Sequence, residues 1–389
     1  LNQFETQLAS STNRRTDLAI GDILDDLGWT EAADRDLDTG ITTISRFWTS
    51  RTKGIDAMRL VEEAEAGFIK ETKTGQIAFE SRYHRLTETA STDIQMTFSD
   101  SPVMIGTTYS YVALAQTDPL TTIINHVEAS ARTYDTASVA TLWTHPETGS
   151  DSPTLAPGEA KTFEAEFPNP DSANNAEEVD VWTVPTVAGS DVAVWTASNG
   201  SGTDITAAGD IGISAVRTAE RMAITLTNNS SLAGYVTTLR ARGTAVSTKN
   251  PVIVRAIDTD SQGIYGERKY VARTKFIPTA SEAQDWCDYH LSVYGSPVEI
   301  MTLTIATSSP EIIGHVLMRD LSDRIRIIAT SATALGVSGS FFLENERHHV
   351  RNGGTEHTTT WQLSPASGGY SQFWVLGTSI LSFETVPAF

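Results

Sequence analysis

The spacing of apolar residues predicts two helices and a hairpin in the N-terminal part of the chain. Over residues 16–28, apolar side chains recur at the helical period, at Ile20, Ile23, Leu24 and Leu27. Thr16 and Asp17 are expected to cap this helix. A second helix is predicted over residues 52–66 and is expected to stop at Gly67. Alternating apolar and polar residues then flank Lys73-Thr74-Gly75, which is typical of a β-hairpin.

Short alternating runs replace the helical period beyond residue 100. Runs such as "AKTFEAEF" and "MAITLTNNS" are separated by turn-forming residues at the spacing of a β-sandwich. We predict an α+β domain at 1–150, an inserted β-sandwich at 151–248 and a barrel-like domain at 249–389. One helix is expected in the last domain, at about 281–295, with Ser281 and Gln284 as a capping box. The predicted fold class is therefore mainly β with a few helices (α+β).

Charge and apolar content exclude several kinds of partner. The chain has 28 basic and 48 acidic residues and a net charge of −20, which would repel DNA and anionic membranes. We therefore predict no direct nucleic-acid binding. No window approaches the roughly 20 apolar residues of a membrane span, so no span is predicted. The start, "LNQFETQLAS", has no signal-peptide pattern, and we expect a processed or trimmed piece of a longer protein.

The single cysteine, Cys287, lies within the predicted C-terminal helix. One cysteine excludes an intrachain disulfide and a zinc site built on cysteines. We expect Cys287 to behave as a small, inert apolar residue of that helix.

An apolar run leads into Asp258-Thr259-Asp260, as in phosphatases of the haloacid-dehalogenase type. That chemistry needs a downstream lysine and a further acidic pair that holds magnesium. Lys269 and Lys275 are too close to the aspartates, and no acidic pair follows at a strand end. We therefore predict that the aspartates form a turn before Gly266.

Asp34, Asp36 and Asp38 imitate the first half of a calcium-binding EF-hand loop. The imitation fails at the sixth position, which is Thr39 instead of glycine, and at the twelfth, which is Ser45 instead of glutamate. A capping or turn role is the better interpretation of these aspartates.

His348, His349 and His357 flank a glycine-rich turn. In a hairpin, His348 and His349 point to opposite faces, so at most one of them can join His357. Glu344 and Glu346 are expected on the face of His348. Two imidazoles make a poor metal site, and we predict a structural role.

Enzyme motifs are otherwise absent from the sequence. There is no Gly-x-Ser-x-Gly elbow, no phosphate-binding glycine loop and no His-Glu-x-x-His helix. We predict no enzyme, no catalytic residue, no cofactor and no metal. Trp182 and Trp195 are candidate glycan contacts, because an exposed indole can stack on a sugar, although tryptophan in a sandwich is commoner in the core.

Three stretches together resemble minor tail and tail-tip (baseplate-hub-like) proteins of long-tailed bacteriophages. The first two are "DILDDLGWTEAADRDLDTGITTISRFW" and "GIDAMRLVEEAEAGFIKETKTGQIAFESRYHR". The third is a structural turn motif made of Asp258, Ser261, Tyr265, Gly266 and Arg268, with a "WQLSP" strand at 361–365 further on. The resemblance covers about residues 17–90 and 228–385.

The resemblance implies a structural virion subunit that acts through subunit contacts. Its barrel-like hub domains would form part of a ring, as a homo-oligomer (trimer or hexamer) bound to other tail proteins, with the sandwich on the outside. A charge of −20 would keep DNA from sticking to the lumen of such a ring. Two alternatives remain open: an adhesion or carbohydrate-binding module for host attachment through a host surface glycan, and a secreted hydrolase. The ring symmetry, the neighbouring subunits and the receptor are not predicted.

Overall fold

The structure is a computed structural model that describes residues 3–101, 108–116, 119–146, 151–167, 176–186, 190–206, 209–298, 300–307, 310–330, 336–366, 373–374 and 386–387. It is mainly β with several helices, which confirms the predicted fold class. No helix in the described part is long and apolar enough to span a membrane.

The helices and strands are numbered in chain order. The helices are α1 Thr16–Asp26, α2 Gly54–Glu65, α3 His84–Thr87, α4 Thr89–Thr92, α5 Thr259–Tyr265, α6 Ala280–Tyr294 and α7 Pro310–Met318. The strands of the N-terminal half are β1 Glu5–Thr6, β2 Ser11–Arg15, β3 Arg35–Leu37, β4 Thr43–Phe47, β5 Thr52–Lys53, β6 Phe68–Glu71, β7 Ile77–Glu80, β8 Met96–Ser99, β9 Thr108–Tyr109, β10 Ala113–Gln116, β11 His126–Ala131, β12 Tyr134–Thr136, β13 Ala140–His145, β14 Thr154–Leu155, β15 Ala160–Glu166, β16 Ala176–Thr183 and β17 Val192–Trp195. The remaining strands are β18 Ile211–Arg217, β19 Arg221–Asn228, β20 Gly234–Thr248, β21 Val252–Ile257, β22 Lys269–Val271, β23 Met301–Ala306, β24 Arg324–Ala329, β25 Val337–Arg351, β26 Glu356–Pro365, β27 Phe373–Trp374 and β28 Val386–Pro387.

Both N-terminal helices and the hairpin are confirmed. Helices α1 and α2 pack on each other through the apolar faces that the spacing predicted. Strands β6 and β7 pair antiparallel, and Gly75 in their turn has a φ of 85°. The predicted cap of α1 is wrong, because Thr16 is the first helical residue and its Oγ1 donates to Glu65 Oε2 (2.7 Å). The hydroxyl that was expected to cap the helix is therefore hydrogen-bonded to the buried Glu65 carboxylate instead.

The sandwich has two facing sheets. Strands β12, β13, β14, β16 and β17 all pair with the long strand β20, and β15–β19–β18 form the opposite sheet. Their inward side chains form one core, which includes Trp182, Ile224 and Leu239. Strands β12 and β13 lie before residue 151 and still join this sheet. The domain boundaries given above remain predictions.

A seven-stranded sheet takes the order β10-β23-β26-β25-β24-β8-β9. Its core includes Phe98, Leu303 and Trp361, and α7 contributes Val316 to it. None of the described sheets closes into a barrel. The barrel-like character expected for the flanking domains is corrected to open sheets, because β10 and β9 at the two ends of the order are not paired with each other.

Helix α6 covers one face of a three-stranded sheet with the order β21-β11-β22. Its cap is Thr279, whose Oγ1 accepts from Glu282 N (3.2 Å), and this corrects the predicted box at Ser281. Helices α3, α4, α5 and α7 were not predicted. The motif at 258–268 connects β21 to β22 and so lies directly beside this small sheet.

Candidate subunit interface

The sheet β21–β11–β22 has one buried and one uncovered face. On the buried face, Val127 and Ala129 of β11 pack with Trp286 of α6. On the other face, Ile253 and Ile257 of β21 are 54% and 46% exposed. Val271 of β22 is also 45% exposed. Exposed apolar side chains grouped on one sheet face are a feature of protein–protein contact surfaces.

A charged cluster lies between these apolar residues. Glu128 Oε2 accepts from Arg255 Nε (2.8 Å) and from Lys269 Nζ (3.0 Å). These two hydrogen bonds, Arg255 first, lower the pKa of Glu128. The Glu128 carboxylate therefore stays ionised and balances part of the positive charge of the face.

Strand β21 is an edge strand in the described part of the chain. The carbonyl of Glu128 on β11 accepts from Ala272 N, so the backbone N–H and C=O groups of Glu128 point toward β22. The flanking residues of β11 therefore bond β21, at Val254 and Ala256. The intervening residues of β21 direct their N–H and C=O groups away from the sheet; they are Ile253, Arg255 and Ile257. The uncovered face thus ends at an open strand edge.

The turn motif closes the other end of β21. Asp258 is the N-cap of α5, and its Oδ1 accepts from Ser261 N (2.9 Å). The buried Ser261 donates from Oγ to Gly295 O (2.7 Å), which ties α5 to the end of α6. Asp258 is therefore engaged as a helix cap.

Buried Asn125 organises the rest of the motif, and no sequence pattern predicted this role. Its Nδ2 donates to Gly266 O (2.8 Å) and to Ser261 Oγ (3.3 Å), and its Oδ1 accepts from Arg268 N (2.7 Å). Gly266 has a φ of 75°, which favours glycine. Tyr265 is half-buried, and the Arg268 side chain is exposed. The motif therefore fixes the backbone between β21 and β22.

Cys287 lies under the same sheet. It is fully buried, and its Sγ is 3.9 Å from Val254 O. Burial raises the pKa of the thiol to about 11. At neutral pH the group is protonated and packs as an apolar side chain.

The two tryptophans proposed as glycan contacts differ in exposure. Trp182 is 3% exposed and its Nε1 donates to Thr218 O (2.9 Å), so its ring offers no face for stacking, which corrects the assignment. Trp195 is half-buried and is in register with Tyr235, on the face opposite the core residues Val194 and Val236. Trp195 is therefore the one of the pair that retains access to solvent.

The histidines of the β25–β26 hairpin follow the predicted faces. Glu344 does not, because a register shift between Leu343 and Asn345 lets it pair with Arg85 instead. His348 Nδ1 lies 3.0 Å from His357 Nε2, and His348 Nε2 lies 3.1 Å from Glu346 Oε1. His349, on the other face, accepts at Nε2 from Arg351 Nε (2.6 Å). Both nitrogens of His348 already contact protein groups. The described residues contain no cluster of three groups suited to a metal ion.

The three aspartates of the EF-hand-like run serve different parts of the fold. Asp38 Oδ2 accepts from Ser81 N (3.0 Å) and lies 2.8 Å from His84 Nδ1. Asp34 ends a short 3₁₀ turn and Asp36 lies within β3, and both are exposed. Asp38 thus has a structural role, in keeping with the capping or turn interpretation.

A cleft of about 710 Å³ separates α2 from α6. Tyr270 and His290 line it opposite Glu63 of α2. Tyr270 Oη donates to Glu63 Oε1 (3.0 Å), and the same carboxylate accepts from Arg273 N (3.0 Å). Burial lowers the pKa of His290 to about 4, so its ring is neutral at pH 7. The polar groups of the cleft are largely engaged with one another.

No protein-family model and no curated protein sequence matches the chain. Two solved structures that resemble it are both tail proteins. The 43 kDa tail protein of prophage MuSo2 from Shewanella oneidensis is 7% identical, with a TM-score of 0.44, over 92% of this chain and 67% of that chain. The tail protein from Neisseria meningitidis MC58 is 8% identical, with a TM-score of 0.48, over 95% and 72%. TM-scores below 0.5 do not establish a common fold.

Proposed function

We propose that this chain is a non-enzymatic structural subunit of a bacteriophage tail, in a tail-tip or baseplate-hub-like position. It acts through contacts with other tail proteins and with further copies of itself, as a trimer or a hexamer in the virion. The observation that carries the proposal is the uncovered face of the β21–β11–β22 sheet, where Ile253 and Ile257 lie beside an open strand edge.

Such a surface favours an assembled subunit over a free monomer. An exposed apolar edge strand pairs readily with other chains, and natural proteins protect or cover such edges. A subunit that buries Ile253, Ile257 and Val271 against a neighbour satisfies this requirement. The ordered resemblance of three sequence stretches to tail proteins supplies the biological setting, since a surface alone does not name a particle.

The chemistry of the described residues is consistent with a structural role. Buried ionisable groups are used to join elements: Glu65 bonds Thr16 of α1, and Arg85 forms a paired contact with Glu344 of β25 (2.7 Å). The turn that resembled a phosphatase loop is a helix cap at Asp258. These contacts support a rigid subunit.

Immunoelectron microscopy tests the proposal directly. An antibody raised against the purified chain is applied to particles released by cells that carry the gene. We expect label at the end of the tail away from the head. Label on heads, or particles with complete tails and no label, would contradict the proposed place in the virion.

A second candidate function is host attachment through a glycan, and Trp195 beside Tyr235 favours it. Aromatic rings on an outward sheet face can stack on sugars. Bacterial surface polysaccharides added to the protein should quench tryptophan fluorescence, and Trp195→Ala should abolish the change. Val216→Ala, at an exposed apolar residue elsewhere on the sandwich, serves as the control. An unchanged response in Trp195→Ala would rule out this site.

A further inference from the structure

We propose that β21 of one copy pairs with β10 of a second copy, so that the three-stranded sheet of one subunit continues into the seven-stranded sheet of the next. The inference rests on the proposed function, and it names the two surfaces that would meet. Both strands are sheet edges in the described part of the chain.

Two edges of the sandwich carry features that discourage pairing. In the sandwich, β15 bears charged residues along its length, at Lys161, Glu164 and Glu166. Strand β18 contains Gly212 and ends at the exposed Arg217. Charges and glycines of this kind protect edges against unwanted partners.

Strands β10 and β21 carry less of this protection. Strand β10 reads Ala-Leu-Ala-Gln and has no charge, no glycine and no proline. Strand β21 has one charge, on Arg255, and Glu128 of its own sheet, which also contacts Lys269, balances part of it. Both strands leave apolar side chains exposed, and the exposed Val112 precedes β10. Two weakly protected edges in the described part of the chain are expected to be covered in the assembled particle.

The side chains of the two edges complement each other in size. Ala113 and Ala115 of β10 are small and exposed, whereas Ile253 and Ile257 of β21 are large. In an antiparallel pair, residues opposite each other on one face come into contact. An isoleucine opposite an alanine avoids crowding of side chains at the fixed spacing of paired strands.

Pairing of β21 with itself is less favourable. The antiparallel register that uses all three free residues places Ile253 opposite Ile257, and Arg255 opposite its own copy. Like charges directly opposite each other destabilise a pair of strands. Pairing of two different edges also has a geometric advantage, because head-to-tail contacts can close a ring, whereas a two-fold contact stops at a dimer.

Thiol cross-linking tests the pairing, since the native Cys287 is buried and its pKa is raised to about 11, so it should not react. Arg255→Cys and Ala115→Cys are made singly and together, and treated with a short bismaleimide at a concentration where light scattering shows the oligomer. An equal mixture of the single variants should give a cross-linked dimer. The double variant should give a ladder that stops at the ring size. Neither single variant alone should cross-link.

A matched control replaces Arg255→Cys by Val216→Cys, an exposed residue on the protected edge β18. Its mixture with Ala115→Cys should give no dimer. Cross-linking of Arg255→Cys alone would show a two-fold contact and overturn β10 as the partner. An oligomer without cross-links in the mixture would overturn the pairing and leave the proposed function standing. A wild-type monomer at every concentration would overturn any pairing between copies, while tail labelling would still decide the function.

Discussion

Arg46 Nη1 of β4 lies 3.4 Å from Glu178 Oε1 of β16, and this contact joins the N-terminal part of the chain to the sandwich. Ser10 Oγ donates to the same oxygen (3.0 Å), while Asp180 competes for Arg46 at 2.8 Å. Glu178 is fully buried, and its Oε2 has no hydrogen-bond partner among the described residues. The Arg46 guanidinium thus contacts two carboxylates. The buried one, Glu178, has one oxygen without a hydrogen bond among the described residues.

This contact should make the stability of the protein depend on pH. Burial raises the pKa of Glu178 from 4.5 to about 7, against the opposing effects of Ser10 and Arg46. The neutral carboxyl is therefore favoured in the folded chain. Its contribution to stability is complete below pH 4.5 and is lost as the pH rises to 7. One pKa unit corresponds to about 1.4 kcal/mol, so the loss is on the order of 3 kcal/mol.

Urea unfolding of the wild type and of Glu178→Gln at pH 5 and pH 8 checks this prediction. The variant should have the larger free energy of unfolding at pH 8, and the difference should shrink at pH 5. Glu166→Gln, at an exposed carboxylate, should change neither value by much. The prediction would be contradicted if the wild type had the larger free energy of unfolding by the same amount at both pH values.

Local sequence patterns predicted the elements whose signals lie within a few residues. The spacing of Ile20, Ile23 and Leu24 was sufficient for α1, and Gly75 marked the hairpin turn. The exact capping residues were harder to predict. Thr279-x-x-Glu282 and Ser281-x-x-Gln284 are overlapping boxes of the same type, and only the path of the chain into α6 selects Thr279.

Long-range contacts determine what the sequence did not reveal at the site. Asn125 and Gly266 are 141 positions apart, and no local pattern connects them. The run Val252-Ile253-Val254 resembled a buried strand, but Ile253 shares its face with Arg255 and Ile257 and is exposed. The alternation of side chains along β21 predicts which residues share a face. Which face is covered depends on the position of α6.

Asn125 should be essential to the turn motif. Asn125→Ala removes the donor to Gly266 and the acceptor of Arg268 N, and leaves both backbone groups without this partner. Gly266 and Arg268 are exposed residues, and an ordinary hydrogen bond contributes about 0.5–1.5 kcal/mol net, so we expect a loss of about 1–3 kcal/mol. Chemical denaturation measures it, with Gln262→Ala as the control, since Gln262 makes only one long contact there (3.5 Å). A loss below about 0.5 kcal/mol would contradict the role of Asn125.

Cys287 should report on opening of the β21–β11–β22 sheet. Its thiol is buried, and its raised pKa keeps the reactive thiolate scarce at neutral pH. A thiol reagent such as dithionitrobenzoate should therefore react slowly with the native protein and at once in denaturant. Asn125→Ala should speed the native reaction, because it loosens the turn that ends β21. Rapid reaction of the wild type would show that α6 does not seal this face.

The exposed isoleucines of β21 should control self-association. Ile253→Lys and Ile257→Lys place a flexible cation on the uncovered face, where a partner would have to desolvate it. Each variant should lower the mass of the protein in light scattering, and the pair together should give a monomer. Both side chains are about half exposed in the single chain, so the free energy of unfolding should change by less than about 1 kcal/mol. Val216→Lys makes the same change at an exposed residue of β18 and should leave the mass unaltered. Equal loss of association in Val216→Lys and Ile253→Lys would indicate a general charge effect, and would remove the β21 face as the contact surface.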